Sequence, residues 1–367
     1  MKQFVIISAV SISLFVAKTQ AQQYQVIDLG TLGGPSSGAY AINNLGQVAG
    51  FVNTSGGQTH ASLYVNGQMQ DLNTLTGNVG TAYAFGVNDN RQVVGYSDAQ
   101  GGTHGFIYSN GSMRDAGTLG GPNSEFLGIN ANGVAVGDSQ TGMNSNPYHA
   151  VVYSGGIMHD IGNLGYNYNY DSYATAINNN GQIVGYAGTP FGGSYHAFLY
   201  SSGSMHDLGT LTGNRGQSFA NAINDNGIAV GYASTGPNGS GNSHAVMFMN
   251  NAVQDLGTIS SGDSSVALGI NDDGQVVGFS GQDAFLYENG HMENLNNLIA
   301  ANSGWRLEYA NAINDSGDIV GRMFNSSGQQ EAFLLVPQSV PDTSSTSLLM
   351  AIGTMTLIAF QRRSLSR

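Results

Sequence analysis

The chain has 367 residues, of which 54 are Gly, 7 are Pro, 9% are charged and none is Cys. Disulfides and thiol chemistry are thereby excluded, and a composition rich in Gly, Tyr, Ile and Val predicts many short strands joined by turns. Residues 23–339 carry 22 Asp plus Glu against five Arg and no Lys, a formal net charge of −17 that argues against nucleic acid or anionic lipid as partners, because phosphate binding draws on Lys and Arg.

In chain order, residues 1–21 come first. They begin with Lys2, run through an apolar stretch over 4–17 and finish Thr19-Gln20-Ala21. That pattern predicts a secretory signal peptide cleaved after Ala21.

Residues 22–336 then repeat one unit. Ile-Asn or Val-Asn, followed by an apolar strand with Gly, recurs with its Asn at Asn43, Asn88, Asn130, Asn178, Asn224, Asn271 and Asn314. A period in the forties marks an array of supersecondary units. The fourth copy shows the plan. Residues 174–178 read as a first strand, Asn179-Asn180-Gly181 as a tight turn that supplies positive φ, and 182–186 as a second strand. Residues 196–200 form a third strand, Ser202-Gly203 a second turn, and 205–211 a fourth strand. Four antiparallel strands per repeat match a propeller blade. Small residues precede the Ile or Val in every copy (Ala41, Gly86, Gly128, Ala176, Ala222, Gly269, Ala312), as strands converging on a central channel require. The second strand ends in Gly every time, at Gly50, Gly95, Gly137, Gly185, Gly231, Gly278 and Gly321, and a strand-end Gly is a sign of close backbone approach, expected here from the adjacent blade.

The ends of the array are offset. Tyr24-Gln25-Val26-Ile27-Asp28-Leu29 matches a fourth strand, whereas Ala332-Phe333-Leu334-Leu335 is a third strand with no fourth after it. Pairing the two would complete the last blade and remove an open edge. The expected fold is an all-β, seven-bladed β-propeller of four-stranded blades closed by the N-terminal strand.

The tracts His60-Ala61-Ser62, His149-Ala150-Val151 and His196-Ala197-Phe198, with His104-Gly105-Phe106 and His244-Ala245-Val246, resemble the bacterial extracellular HAF-repeat family over about residues 24–336. Copies six and seven depart from the pattern, with Asp283-Ala284-Phe285 and Glu331-Ala332-Phe333. The resemblance implies an extracellular repeat protein and brings no catalytic residues with it.

Metal and cofactor readings are weak. The five repeated His occupy one blade position and are spread round a ring, so they cannot converge on one ion as zinc ligands must; packing or strand-edge hydrogen bonding is expected of them. Asn-Asp-Asp-Gly at 271–274 and Asn-Asp-Asn at 224–226 lack the alternating carboxylates and distal acid of a calcium loop, and read as turns. The fourth-strand acids Asp28, Asp71, Asp115, Asp160, Asp207 and Asp255, with Glu293 in the sixth copy, read as guards against edge pairing. No metal site, no cofactor and no catalytic residue is assigned.

Binding residues are expected where the copies differ. Tight turns follow strands one and three on one face; longer, variable loops follow strands two and four on the other, where rigid scaffolds commonly carry function. The most unusual loop spans Tyr166, Tyr168, Tyr170 and Asp171, and the next on that face carries Phe191 and Tyr195. Aromatic rings with nearby amides and a carboxylate suit a sugar, so these six residues are the candidate ligand site. Trp305, Arg306 and Glu308 form a second irregularity, read mainly as packing.

At the end of the chain, residues 337–346 form a linker holding Val340-Pro341-Asp342, and 347–367 an apolar helix followed by Arg362, Arg363 and Arg367. The apolar part is shorter than the roughly 20 residues of an unaided membrane span. The order of motif, short apolar helix and Arg cluster resembles the PEP-CTERM and VPDSG-CTERM class of exosortase sorting signals. That resemblance implies an exosortase-like processing enzyme as a partner and transient anchoring in the inner membrane of a Gram-negative-type bacterium. The functional expectation is a secreted or envelope-associated, non-enzymatic binding or structural module, with an extracellular polysaccharide or envelope protein as partner. The alternative is an extracellular polysaccharide-acting hydrolase or lyase using loop acids such as Asp171, Asp263 and Glu308.

Overall fold

The computed structural model describes residues 23–77, 79–142, 147–165, 170–189 and 194–338. The proposed signal peptide, the sorting motif (Val340, Pro341, Asp342) and the tail with Arg362 and Arg363 lie outside them. Among the described residues no helix is long and apolar enough to cross a membrane.

The described strands form seven sheets of four, arranged in a ring: a seven-bladed β-propeller. Six blades use four consecutive strands, over residues 33–73, 82–115, 124–160, 172–209, 218–257 and 265–294. The seventh joins Trp305–Ile313, Ile319–Asn325 and Gln330–Gln338 to the N-terminal strand Gln23–Asp28, which lies outermost beside Gln330–Gln338. The Leu29 amide donates to the Ala332 carbonyl at 3.0 Å. Closure by the N-terminal strand, expected from the offset ends, is what the sheet shows.

In blade four the strands are Ser172–Ile177, Ile183–Gly188, Tyr195–Ser201 and Ser204–Gly209. Gly181 at φ +77° turns the first hairpin, and Ser202 and Gly203 at φ +52° and +80° turn the second. Connections after strands one and three therefore share one face, and those after two and four the other. The first strand bulges between Ala174 and Ala176. A Cβ on Gly185 would sit 1.9 Å from the Tyr173 carbonyl oxygen, inside that bulge. The recurrent Gly thus admits the first strand of its own blade, which corrects the expectation of contact with the next blade. The small residues do serve the channel: a Cβ on Gly128 would lie 3.1 Å from Ala176 Cα of the following blade.

The core is seven apolar seams, one between each pair of neighbouring blades. Between blades one and two, Leu63 and Leu72 meet Val93 and Phe106; between six and seven, Val277 and Leu286 meet Ile319 and Phe333. Phe106, Phe198, Phe285 and Phe333 fill the third-strand position and are fully buried. Where blade three has the smaller Val151, Phe126 on the first strand fills the space instead. Each such side chain contributes about 1.5–3 kcal/mol by burial.

The repeated Asn residues close a second ring. Each side-chain amide donates to the carbonyl of the equivalent Asn one blade on, from Asn43 to Asn88 (2.9 Å) round to Asn314, whose amide donates to Asn43 at 3.1 Å. The same side chains accept from their own turns, as Asn178 Oδ1 does from the Asn180 and Gln182 amides. Turn chemistry was expected at 224–226 and 271–274, and Asn178 was expected to end a strand; the link between blades is an addition.

Candidate functional site

On the face carrying the longer loops, chemistry-bearing groups among the described residues converge on a cavity. It has a volume of about 450 Å³ and is lined by Tyr96 and Thr103 of blade two, Asn123 just before blade three, Ser124, Glu125, Asp138 and Tyr148 of blade three, and Tyr173 of blade four. All sit near strand ends on the loop face, because first and third strands start there and second strands finish there.

Glu125 and Asp138 are direct cross-strand partners on strands one and two of blade three. Their carboxyl groups act on each other's protonation. Burial pushes Asp138 well above the usual carboxylate range, with the Glu125 charge adding to it. Glu125 is also raised by burial, with Asp138 opposing that rise. Asp138 is 2% exposed, and no N–H or hydroxyl among the described residues donates to its Oδ2.

Aromatic rings flank the pair on both sides. Tyr83 and Tyr96 lie 5.4 Å apart on one side. On the other, Tyr148 stacks with Tyr173 at 6.0 Å, Tyr173 with Tyr186 at 4.9 Å, and Tyr186 meets Tyr195 edge-on at 5.6 Å. Burial and the neighbouring charges push the Tyr96 hydroxyl up to about 12 and raise Tyr173 and Tyr186 further, so these rings stay neutral hydrogen-bonding groups.

The position explains why the pair is unusual. The same cross-strand register holds Tyr83 with Tyr96, Tyr173 with Tyr186, Phe219 with Tyr232, Val266 with Phe279 and Gly38 with Phe51. In blade seven it holds Tyr309 with Arg322, whose guanidinium lies 4.2 Å over the Tyr309 ring. An aromatic belt thus runs round the channel, broken by two acids in blade three and a cation in blade seven. The second position is always the residue after the recurrent Gly, so a column of the seven copies would have found Asp138.

Of the expected ligand residues, Tyr166, Tyr168 and Phe191 lie outside the described residues. Tyr170 packs near Gly188, whose Cβ would fall 3.2 Å from its ring. Asp171 accepts from the Tyr148 amide at 2.9 Å and from the Tyr195 hydroxyl at 3.4 Å, so it positions two of the rings. The structure therefore connects Asp171 and Tyr195 to the cavity. Asp263 and Glu308 lie on the approach to blade six and on the first strand of blade seven. Arg306 bridges Asp283 at 3.3 Å, and Trp305 packs on the seam between blades six and seven, in line with packing roles.

The five repeated His also find their partners. His60, His104, His149, His196 and His244 each place Nδ1 2.7–2.9 Å from the fourth-strand Asp of the same blade, 11 residues on. The Asp in turn accepts from the amide two residues further along, as Asp207 does from Gly209 at 2.7 Å. These acids were expected as edge guards; they also tie strand three to strand four.

Residues 204–333 match a family model described as "Protein of unknown function (DUF3466)". The match begins at a fourth strand and ends in a third, the same offset that the closed ring uses. No curated protein matches the chain. Among solved structures, a triple-arginine mutant of AofleA from Arthrobotrys oligospora is 14% identical, with a TM-score of 0.35, over 87% of this chain and 90% of that one.

Proposed function

We propose that the protein is a secreted or envelope-associated, non-enzymatic binding module that holds a saccharide chain against the loop face of its propeller. The observation that supports this reading best is the cavity itself. Tyr96, Tyr148 and Tyr173 line it with aromatic rings, while Asn123, Thr103 and the Glu125–Asp138 pair line it with polar side chains. Sugars present both surfaces to a protein, apolar C–H faces and hydroxyls at the edge. The volume lies within the roughly 300–1,000 Å³ of small-ligand pockets.

Export rests on the signal-like first 21 residues, the resemblance to HAF-repeat proteins, and the sorting-like tail with an exosortase-like processing enzyme as partner.

A glycan array probed with the full-length protein tests the reading. Tyr148→Ala should remove binding while lowering stability by only about 0.5–1.5 kcal/mol, the value of one ring pair. An array without any binding, or binding that Tyr148→Ala leaves intact, would overturn it.

A further inference from the structure

We infer that the ligand presents a protonated amine to the Glu125–Asp138 pair, so that the saccharide bound here is an amino sugar with a free amino group. This inference rests on the saccharide-binding reading above and narrows it.

Three observations lead to it. First, among the described residues the cavity wall supplies the pair with no Lys, Arg or His. Asp138 Oδ2, nearly fully buried, receives no N–H or hydroxyl from the described residues. A buried acceptor of that kind calls for a donor, and for a charged one most of all. An ammonium group carries three donors and no acceptor, which suits a site whose spare atoms are carboxylate oxygens.

Second, the aromatic residues Tyr96, Tyr148 and Tyr173 line the same cavity as the pair. Aromatic faces attract cations, by up to about 2 kcal/mol when water is excluded. The fold shows the same preference at its own equivalent position, where Arg322 lies over Tyr309 in blade seven. Blade seven supplies its own cation to the aromatic belt, whereas blade three supplies anions and leaves the cation to come from outside.

Third, the surroundings select for charge type. With a formal charge of −17 over residues 23–339, the propeller raises the local concentration of cationic ligands and repels acidic glycans. A hard divalent ion is a poorer occupant, since calcium takes about 6–8 oxygen ligands and much of the lining is aromatic.

Calorimetric titration of the full-length protein separates the possibilities with three probes: a glucosamine trimer with its amines protonated, the corresponding N-acetylated trimer, and putrescine. The expected result is that the glucosamine trimer binds roughly tenfold or more tighter than its N-acetylated counterpart. Glu125→Gln and Asp138→Asn, which keep side-chain shape, should each abolish that preference, and Tyr148→Ala should weaken binding of both trimers. Equal binding of the two trimers, still lost in Tyr148→Ala, would overturn the amine inference and leave the saccharide reading standing. Binding of putrescine without either trimer would support the amine and overturn the saccharide. Silence from all three probes would overturn both, and this result is read on the wild-type protein, so a variant that fails to fold cannot blur it.

Discussion

Replacing Asn178 tests whether the ring of Asn side chains holds the blades together. Its amide donates to the Asn224 carbonyl of the next blade at 3.0 Å and to Gln182 Oε1 at 2.8 Å, while its oxygen accepts from two turn amides at 3.1 and 2.9 Å. The side chain is 4% exposed. Asn178→Ala removes all four bonds. The Asn224 carbonyl keeps the Gly227 amide as a donor, and the turn amides lie near water, so only part of each bond is lost without replacement. At about 0.5–1.5 kcal/mol per bond, and somewhat more for a stranded group, the loss should be about 2–4 kcal/mol. Asn178→Asp makes the sharper test. The carboxylate still accepts from the turn, but it turns a charged oxygen toward the Asn224 carbonyl, which cannot move away. A protonated carboxyl can donate there, so its folded-state pKa should rise above the unfolded value. Stability would then be close to wild type in acid and would fall as pH increases through the raised pKa. Urea unfolding followed by circular dichroism at about pH 4 and about pH 8 reads this directly. An Asn178→Ala loss below about 0.5 kcal/mol, or an Asn178→Asp curve indifferent to pH, would refute the ring as a source of stability.

Two further outcomes concern the seam where the ring closes. There the His position of the last blade is Glu331, and its neighbour is Asp28; burial first, then the bond to Asp28, pushes Glu331 up to about 7. Because the folded pKa exceeds the unfolded one, its contribution is most favourable below the ordinary carboxylate range and is lost as pH rises through about 7. Thermal midpoints should therefore fall across that window in the wild type and less so in Glu331→Gln; equal slopes would show the seam to be indifferent to this proton. Deleting residues 23–28 should leave Gln330–Gln338 as an open edge, seen as a broadened thermal transition and self-association in size-exclusion chromatography. A monomer with the wild-type transition would mean that closure is dispensable.

The architecture was legible because the repeat is written in residues that each blade needs locally. A turn needs Asn and Gly, a bulged hairpin needs Gly, and a strand-end offset needs a partner at the other terminus. Partnerships across strands were harder to read. His196 and Asp207 recur 11 residues apart in five blades, yet each looks sufficient alone, one as a packed His and the other as an edge charge. Only the register of strands three and four brings them together. The Asn ring was hidden for the same reason, since its bonds join residues 42–48 positions apart, and at the closure 271.

The site was half legible, and the reason is physical. Variation was sought in the loops, where insertions are tolerated, and that led to Asp171 and Tyr195, of which Asp171 accepts from the amide of the cavity-lining Tyr148. The decisive change is instead on the strands of blade three. A propeller surrounds its channel with seven copies of one position, so the belt needs apolar bulk at most of them but not at all. Neighbouring rings can hold a seam together while one copy gives up its aromatic pair. That freedom lets a rigid cross-strand register hold Glu125 against Asp138, which a loop would hold less firmly. Two carboxyls forced together without a cation destabilise the blade that carries them, since burial raises both. The cationic ligand inferred above would relieve this, so the same burial would favour the state that holds it.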